Sequence, residues 1–366
     1  MLEVEYLAFL NELSEKRLGK STIYNMGNTC YMNSVLQALL HNPYLNYYFM
    51  TNKYEEDVKK TSSKLNLLKQ YVRLVNVFYE DNSKIRPHSL CKQIESLDDR
   101  YSGGEQNDAH EFLASIIDWL HDALSYEVNI TSSSDIPTTE KGKLELQSIK
   151  EWDKFFSKEY SLIVDLCYGQ YQTFTKCSNC STINNRFEPF CYITLPVSEE
   201  IKDIYDGLDH MSKEEMLDKD NYVKCDKCNQ NTVSSQKTAI WRTPFCLFIV
   251  LKRFSMTGKK INQLIDFPIE GLDLSSYVEG DDQETDSIYD LYSVVNHHGS
   301  HHFGHYTNIS KNPDDNWIYI DDDKYRTIDD SSVISSNAYI LCYVKRNFYP
   351  NIVKETEYDS CNDEDS

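Results

Sequence analysis

The spacing of apolar residues changes period partway along this chain, and that change limits the fold more than any other feature. After Cys30, the apolar residues Met32, Val35, Leu36, Leu39 and Leu40 fall on one helix face. Pro43 marks the stop, because the residue before a proline avoids helical geometry. A second helix is written in QNDAHEFLASIIDWLHDAL, with Asp108 as N-cap, Glu111 three places on, and a stripe of Phe112, Leu113, Ile116, Ile117 and Leu120. Residues 125–145, rich in Ser, Thr and charge, read as a surface loop. Beyond about residue 160 the segments QYQTFTKC, FCYITLPV, CLFIVLKRF, YDLYSVVNHH, NWIYIDD and AYILCYVKR read as strands. Helices first, strands after, and no internal repeat give an α+β pattern. With 366 residues the chain can bury a real core, as one large domain or two small ones.

The net charge is -21, from 37 basic and 58 acidic residues. The stretch EGDDQETDSIYD (279–290) and the tail KETEYDSCNDEDS (354–366) supply about half of it, as solvated runs usually do. What is left is still acidic, which argues against nucleic acid and favours a basic partner. The N-terminus MLEVEYLAFLNELSEK carries acids where a signal peptide needs bases. FCLFIVL at 245–251 is far too short to cross a bilayer. We therefore expect no membrane partner and a cytoplasmic or nuclear setting. Thiols stay reduced there, and the odd total of eleven cysteines argues further against a disulfide framework.

One of those cysteines has unusual neighbours. In NMGNTCYMN (25–33), Cys30 stands where a helix begins. A helix N-terminus presents unpaired backbone N–H groups and the positive end of the dipole, and both favour the thiolate, which is the nucleophile. Gly27 lets the backbone approach closely, and the Asn25 amide can donate to a developing oxyanion. A buried structural cysteine is the competing reading of this stretch. A nucleophilic cysteine needs a base, and the base an orienting group. HHGSHHFGHYTNIS (297–310) leads from a glycine-bearing loop into a strand, and NWIYIDDD (316–323) is a strand ending in carboxylates. His305 and Asp321 are expected on adjacent antiparallel strands, within hydrogen-bond reach. Metal binding by His297, His298, His301, His302 and His305 is the alternative, with no helical His-x-x-x-His frame to support it.

Four further cysteines stand apart. KCSNC places Cys177 and Cys180, and KCDKC places Cys225 and Cys228. Each pair fits a knuckle turn, and four thiolates complete a tetrahedral structural zinc site with no open position. The long stretch between the pairs puts the knuckles on separate hairpins that converge. A redox role is the rival, weakened by two copies without a βαβ context.

The motifs together resemble the ubiquitin-specific protease family. NMGNTCYMNSVLQALLHNP resembles its cysteine box, YSGGEQNDAHEFL its glutamine-containing box, and HHFGHYTNIS followed by WIYIDD its histidine box. The two Cys-x-x-Cys pairs, LKRF (251–254) and AYILCYV (338–344) fall in the family's order, so the likeness runs from about 21 to 346. It implies a papain-like cysteine peptidase fold with a helical thumb (about 21–160), zinc-bearing β fingers (about 161–245) and a β-rich palm (about 246–346). An N-terminal helical extension (1–20) and an acidic tail (347–366) would flank it.

The resemblance also implies cleavage of the isopeptide bond between the C-terminal glycine of ubiquitin and a target lysine. Carried over, Cys30 is the nucleophile, His305 the general base and then acid, and Asp321 the orienting group. Asn25 with backbone N–H groups holds the oxyanion, and Asp322 is a second candidate because some members use the second aspartate. Asp108, Gln106 and Tyr306 are the implied substrate contacts, although Asp108 is also the N-cap read above. His110 stands where many members have glutamine. Implied partners are ubiquitin, ubiquitinated proteins and an activating protein. The alternative is a ubiquitin-binding module of the same fold that has lost catalysis, against which the complete Cys30, His305 and Asp321 set argues.

Overall fold

The computed structural model describes residues 2–128, 138–217, 222–255, 258–280, 287–300 and 304–346. His301, His302, much of the acidic run at 279–290 and the whole tail from 347 lie outside the described residues.

The helix Cys30–Leu40 is buried along its entire length. Its apolar stripe alone would not require this, so the polar positions must find partners inside, and Gln37 Nε2 donates to Ser21 O at 3.1 Å. The helix ends before Pro43, as its sequence predicts. Pro43 then opens a second helix, Pro43–Met50, whose N-cap Asn42 accepts from the N–H groups of Tyr44 and Leu45. Proline at that first position loses no hydrogen bond. The helix Leu2–Glu15 precedes these two, and the helices Leu65–Glu80, His88–Leu97 and Ala109–Leu124 follow them, the last capped by Asp108. Among the described residues no helix is long and apolar enough to cross a membrane.

The stretch 125–145 is a loop only in part. Residues 129–137 lie outside the described residues, and the helix Glu140–Phe156 begins inside the expected loop, capped by Thr139 through the Gly142 N–H. The residues that bury it, Ser148, Trp152 and Phe156, are spaced four apart but lie downstream of the polar stretch. Its first turn, EKGK, therefore carries no apolar side chain of its own.

The largest sheet runs Lys324–Thr327, Trp317–Asp321, Gly304–Lys311, Ile288–Gly299, Ala338–Lys345, Cys246–Lys252 and Ile193–Pro196 in spatial order, with Leu272–Asp273 paired to Ile288–Gly299. Both faces are covered. Along Cys246–Lys252, Cys246, Phe248 and Val250 pack with the helices, while Leu247, Ile249 and Leu251 join a second core on the opposite face. Strand residues alternate faces, so a strand buried on both reads as an unbroken apolar run. A second sheet of Ile183–Phe190, Gly169–Cys177, Ser234–Arg242 and Glu215–Leu217 extends from this body. FCYITLPV is split between the two sheets. Phe190 ends a strand of the smaller one, and Ile193–Pro196 pairs in parallel with Cys246–Lys252 in the larger.

Candidate active site

The strand Thr22–Ile23 pairs in parallel with Lys84–Ile85 and delivers the loop 24–29 to the N-terminus of the buried helix. Asn25 shapes that loop from within. Its Oδ1 accepts from the backbone N–H of Gly27 at 3.0 Å and of Thr29 at 3.1 Å. The turn requires left-handed backbone at Gly27 (φ 114) and Asn28 (φ 53). Within the fold a Cβ on Gly27 would meet nothing within 4 Å, so it is the backbone angle that requires glycine here. Cys30 follows as the first residue of the helix, 3% exposed. At that position a backbone N–H has no acceptor within the helix.

His305 enters from the strand Gly304–Lys311, which pairs antiparallel with Trp317–Asp321. Its Nε2 lies 2.7 Å from Asp321 Oδ1, and its ring stands close enough to Cys30 for the sulfur to act on its charge. With Nε2 turned to the carboxylate, Nδ1 is left for the sulfur. The Cys30 sulfur first, and then the Asp321 carboxylate, push the His305 imidazole up to about 9, against partial burial that pulls the other way. The ring therefore holds its proton at neutral pH.

Asp322 takes a different direction from its neighbour. It has φ 48, a left-handed turn that carries the chain out of the strand. Its Oδ2 accepts from Asn25 Nδ2 at 2.9 Å, its Oδ1 from Asn33 Nδ2 at 2.7 Å, and its carbonyl from the Ile23 N–H at 3.2 Å. The carboxylate thus braces the cysteine loop and the cysteine helix together. Asn25 commits one amide hydrogen to it and keeps a second for a ligand. Asn33 lies inside the stretch quoted above, yet nothing local in the sequence marks its role, because its partner is 289 residues away.

The three residues implied as substrate contacts all have partners within the fold. Gln106 Nε2 donates to Gly304 O at 2.9 Å, and its Oε1 accepts from the Gly304 N–H at 3.3 Å, which fixes the strand start beside His305. Asp108 caps its helix through the His110 N–H at 2.7 Å and accepts from Tyr339 Oη at 2.7 and 2.9 Å on its two oxygens. Tyr306 is buried against His297, with ring centroids 4.7 Å apart. Of the histidines weighed as metal ligands, His297 is buried in this aromatic packing and His298 Nε2 meets Thr307 Oγ1 at 3.1 Å. Among the described residues only His305 gathers with other ligand atoms, those of Asp321 and Asp322.

At the far end of the smaller sheet, Cys177 closes the strand Gly169–Cys177 and Cys225 closes the strand Val223–Cys225, each followed by a tight turn holding the second cysteine of its pair. The four sulfurs lie within 4.8 Å of one another. Close contacts cross between the pairs, Cys177 to Cys228 at 4.0 Å and Cys180 to Cys225 at 3.6 Å. A tetrahedral zinc with Zn–S bonds of about 2.3 Å separates its sulfurs by about 3.8 Å, so the four-cysteine set fits a closed metal site.

A thiol at the head of a buried helix, facing an imidazole carried on a sheet, defines the frame of a papain-like cysteine peptidase. The chain belongs to the ubiquitin carboxyl-terminal hydrolase family, whose model matches residues 22–343. Ubiquitin carboxyl-terminal hydrolase 4 of Vanderwaltozyma polyspora is 32% identical over 355 residues, covering 87% of this chain and 40% of the relative. Ubiquitin carboxyl-terminal hydrolase 2 of Bos taurus is 30% identical over 346 residues, covering 90% and 56%. The chain thus spans about half the length of these relatives or less. A solved SAGA Ubp8/Sgf11/Sus1/Sgf73 DUB module bound to ubiquitin aldehyde matches with a TM-score of 0.70 and 25% identity, over 91% of this chain and 70% of that one.

Proposed function

We propose that this chain is a deubiquitinating cysteine protease that hydrolyses the isopeptide bond between the C-terminal glycine of ubiquitin and a target lysine. The observation that carries the reading is the His305 imidazole, 2.7 Å from Asp321 Oδ1 and pushed up to about 9 first of all by the Cys30 sulfur. The Cys30 thiolate attacks the glycine carbonyl, and the oxyanion is received by the free Asn25 N–H and the backbone N–H at the helix start. As the tetrahedral intermediate collapses, the C–N bond breaks and the His305 imidazolium gives its proton to the departing lysine amine. A thioester to Cys30 remains. His305, now neutral, takes a proton from water as the water attacks; the C–S bond then breaks, the ubiquitin acid leaves and ionises, and the Cys30 thiolate and His305 imidazolium are restored. Asp321 keeps the imidazole oriented throughout.

The four cysteines Cys177, Cys180, Cys225 and Cys228 would hold a structural zinc, which when bound ties the two hairpins together and takes no part in the chemistry. Ubiquitin as partner is supported by the ubiquitin-aldehyde complex of the solved neighbour, and an activating protein by the multi-protein module in which that neighbour stands. We also propose a cytoplasmic or nuclear setting, where thiols stay reduced. The test is hydrolysis of a fluorogenic amide at the ubiquitin C-terminus, run beside the same amide on other ubiquitin-like proteins. Turnover that needs Cys30 and prefers ubiquitin supports the reading. Tight ubiquitin binding without turnover would instead assign the chain to a binding module.

A further inference from the structure

On the helical side, along the strand pair that carries the cysteine loop, a groove of about 310 Å³ opens between the helices Leu65–Glu80 and His88–Leu97 and the short strand Lys84–Ile85. Its floor is apolar, with Leu74, Ile85 and Leu90 buried beneath it. Its rim carries Arg73, Lys84 and Arg86, and no residue lining it is acidic. That is a marked local inversion in a chain of net charge -21. Arg86 is held flat on the Tyr24 ring at 3.9 Å, and Lys84 pairs with Asp323 at 2.9 Å, so two of the three cations are already oriented. Arg73 projects from its helix as an exposed side chain. Apolar floor and cationic rim together suit an acidic peptide that carries an aromatic or aliphatic anchor.

We propose that the groove receives the chain's own acidic C-terminal segment, KETEYDSCNDEDS, with Tyr358 over the apolar floor and the flanking carboxylates on Arg73, Lys84 and Arg86. The described fold ends at residue 346, and the chain continues to 366. Tyr358 stands 12 residues past 346, a reach of about 40–43 Å at ~3.3–3.6 Å each. A folded body of this size has a radius of gyration of about 20 Å, so that reach spans about twice this radius. Tethering raises its effective concentration to about the millimolar range, and a weak electrostatic attraction then suffices for occupancy. The complementarity also decides between occupants. A second copy of this acidic body would meet the groove with net repulsion outside it, whereas the segment presents its acids locally.

The experiment reads binding and not turnover, so its result is independent of the peptidase reading. In the full chain a photoreactive benzophenone amino acid replaces Tyr358, and cross-links are mapped by mass spectrometry. The expected result is cross-linking within one chain to residues 70–90 at low ionic strength, weakened about fivefold or more near 0.5 M salt, where surface charges are screened. R73E with R86E should abolish it, and R73K with R86K should retain it. Both arginines are exposed, and an unchanged melting temperature would confirm that the charge-reversed protein folds. Cross-links spread over the surface and indifferent to charge reversal would overturn the proposal. So would cross-links confined to pairs of chains, which would make a second copy the occupant.

Discussion

Asn25 and Asp322 are joined by a hydrogen bond of 2.9 Å across a separation of 297 residues. Asp321, one position earlier, points instead to His305 at 2.7 Å. The two adjacent carboxylates diverge because the strand ends between them in a left-handed turn at Asp322. One meets the imidazole, and the other holds the Asn25 arm that the proposed mechanism aims at the oxyanion.

This division predicts different coupling patterns. Asp321→Ala should lower kcat/KM at least tenfold, about 1.4 kcal/mol, through loss of imidazole orientation. Asn25→Ala should lower turnover about 100-fold or more, the usual loss for one oxyanion donor. Asp322→Ala should act through Asn25, so the Asn25/Asp322 double variant should be little worse than Asn25→Ala alone. Asp321→Ala with Asn25→Ala should come nearer to additivity. A larger loss at Asp322 than at Asp321 would reverse the assignment.

The raised imidazole makes a pH prediction. His305 moves from 6.5 to about 9, held up by Cys30 and then by Asp321. A raised folded-state value contributes stability that is fully present below about 6.5 and is lost as pH rises through about 9. The hydrolysis rate should fall over the same upper window, as the imidazolium loses its proton. Asp321→Asn removes one raising partner, so the basic limb of the kcat/KM profile should move to lower pH. An unmoved limb would show that the carboxylate does not govern this proton.

Cys30→Ala should abolish hydrolysis while ubiquitin binding persists, because a buried side chain of this size adds chemistry and little contact area. Isothermal titration with ubiquitin, beside the fluorogenic assay, separates the two. Loss of binding and hydrolysis together would point to a structural role for the thiol.

The cysteine cluster should hold close to one zinc per chain by elemental analysis. Cys225→Ser should lower thermal stability, since the binding energy of such a site is folding energy, and leave the distant triad geometry intact. A well-folded, metal-free protein at full stability would remove zinc from the account.

Asp108 should behave as a structural carboxylate. Asp108→Ala removes an N-cap, worth about 1 kcal/mol, and leaves the buried Tyr339 hydroxyl without its acceptor. Combined with Tyr339→Phe in a denaturation cycle, the pair should show a favourable coupling. If Asp108→Asn instead raised KM for the ubiquitin substrate at unchanged stability, the substrate would be its main partner.

The amino-acid sequence alone determined whatever depends on near neighbours along the chain. Cys30 at a helix start, the Asp108 cap, the break before Pro43 and the two knuckle turns are each written within a few residues. The antiparallel strands bearing His305 and Asp321 are legible too, because they are close in sequence and alternate with period two. The tertiary structure decided the rest. Asp322 to Asn25 and Asn33, Gln106 to Gly304, and Asp108 to Tyr339 join segments that meet only when helices and sheet pack. The helix at 140–156 and the division of FCYITLPV between two sheets likewise depend on which surfaces become buried. Alternation assigns a residue to a face, but the angle at Asp322 that redirects its carboxylate is set by the loop and helix packed against it. A hydrogen-bond partner hundreds of residues away leaves no mark in local spacing, since only the assembled core brings donor and acceptor within 3 Å.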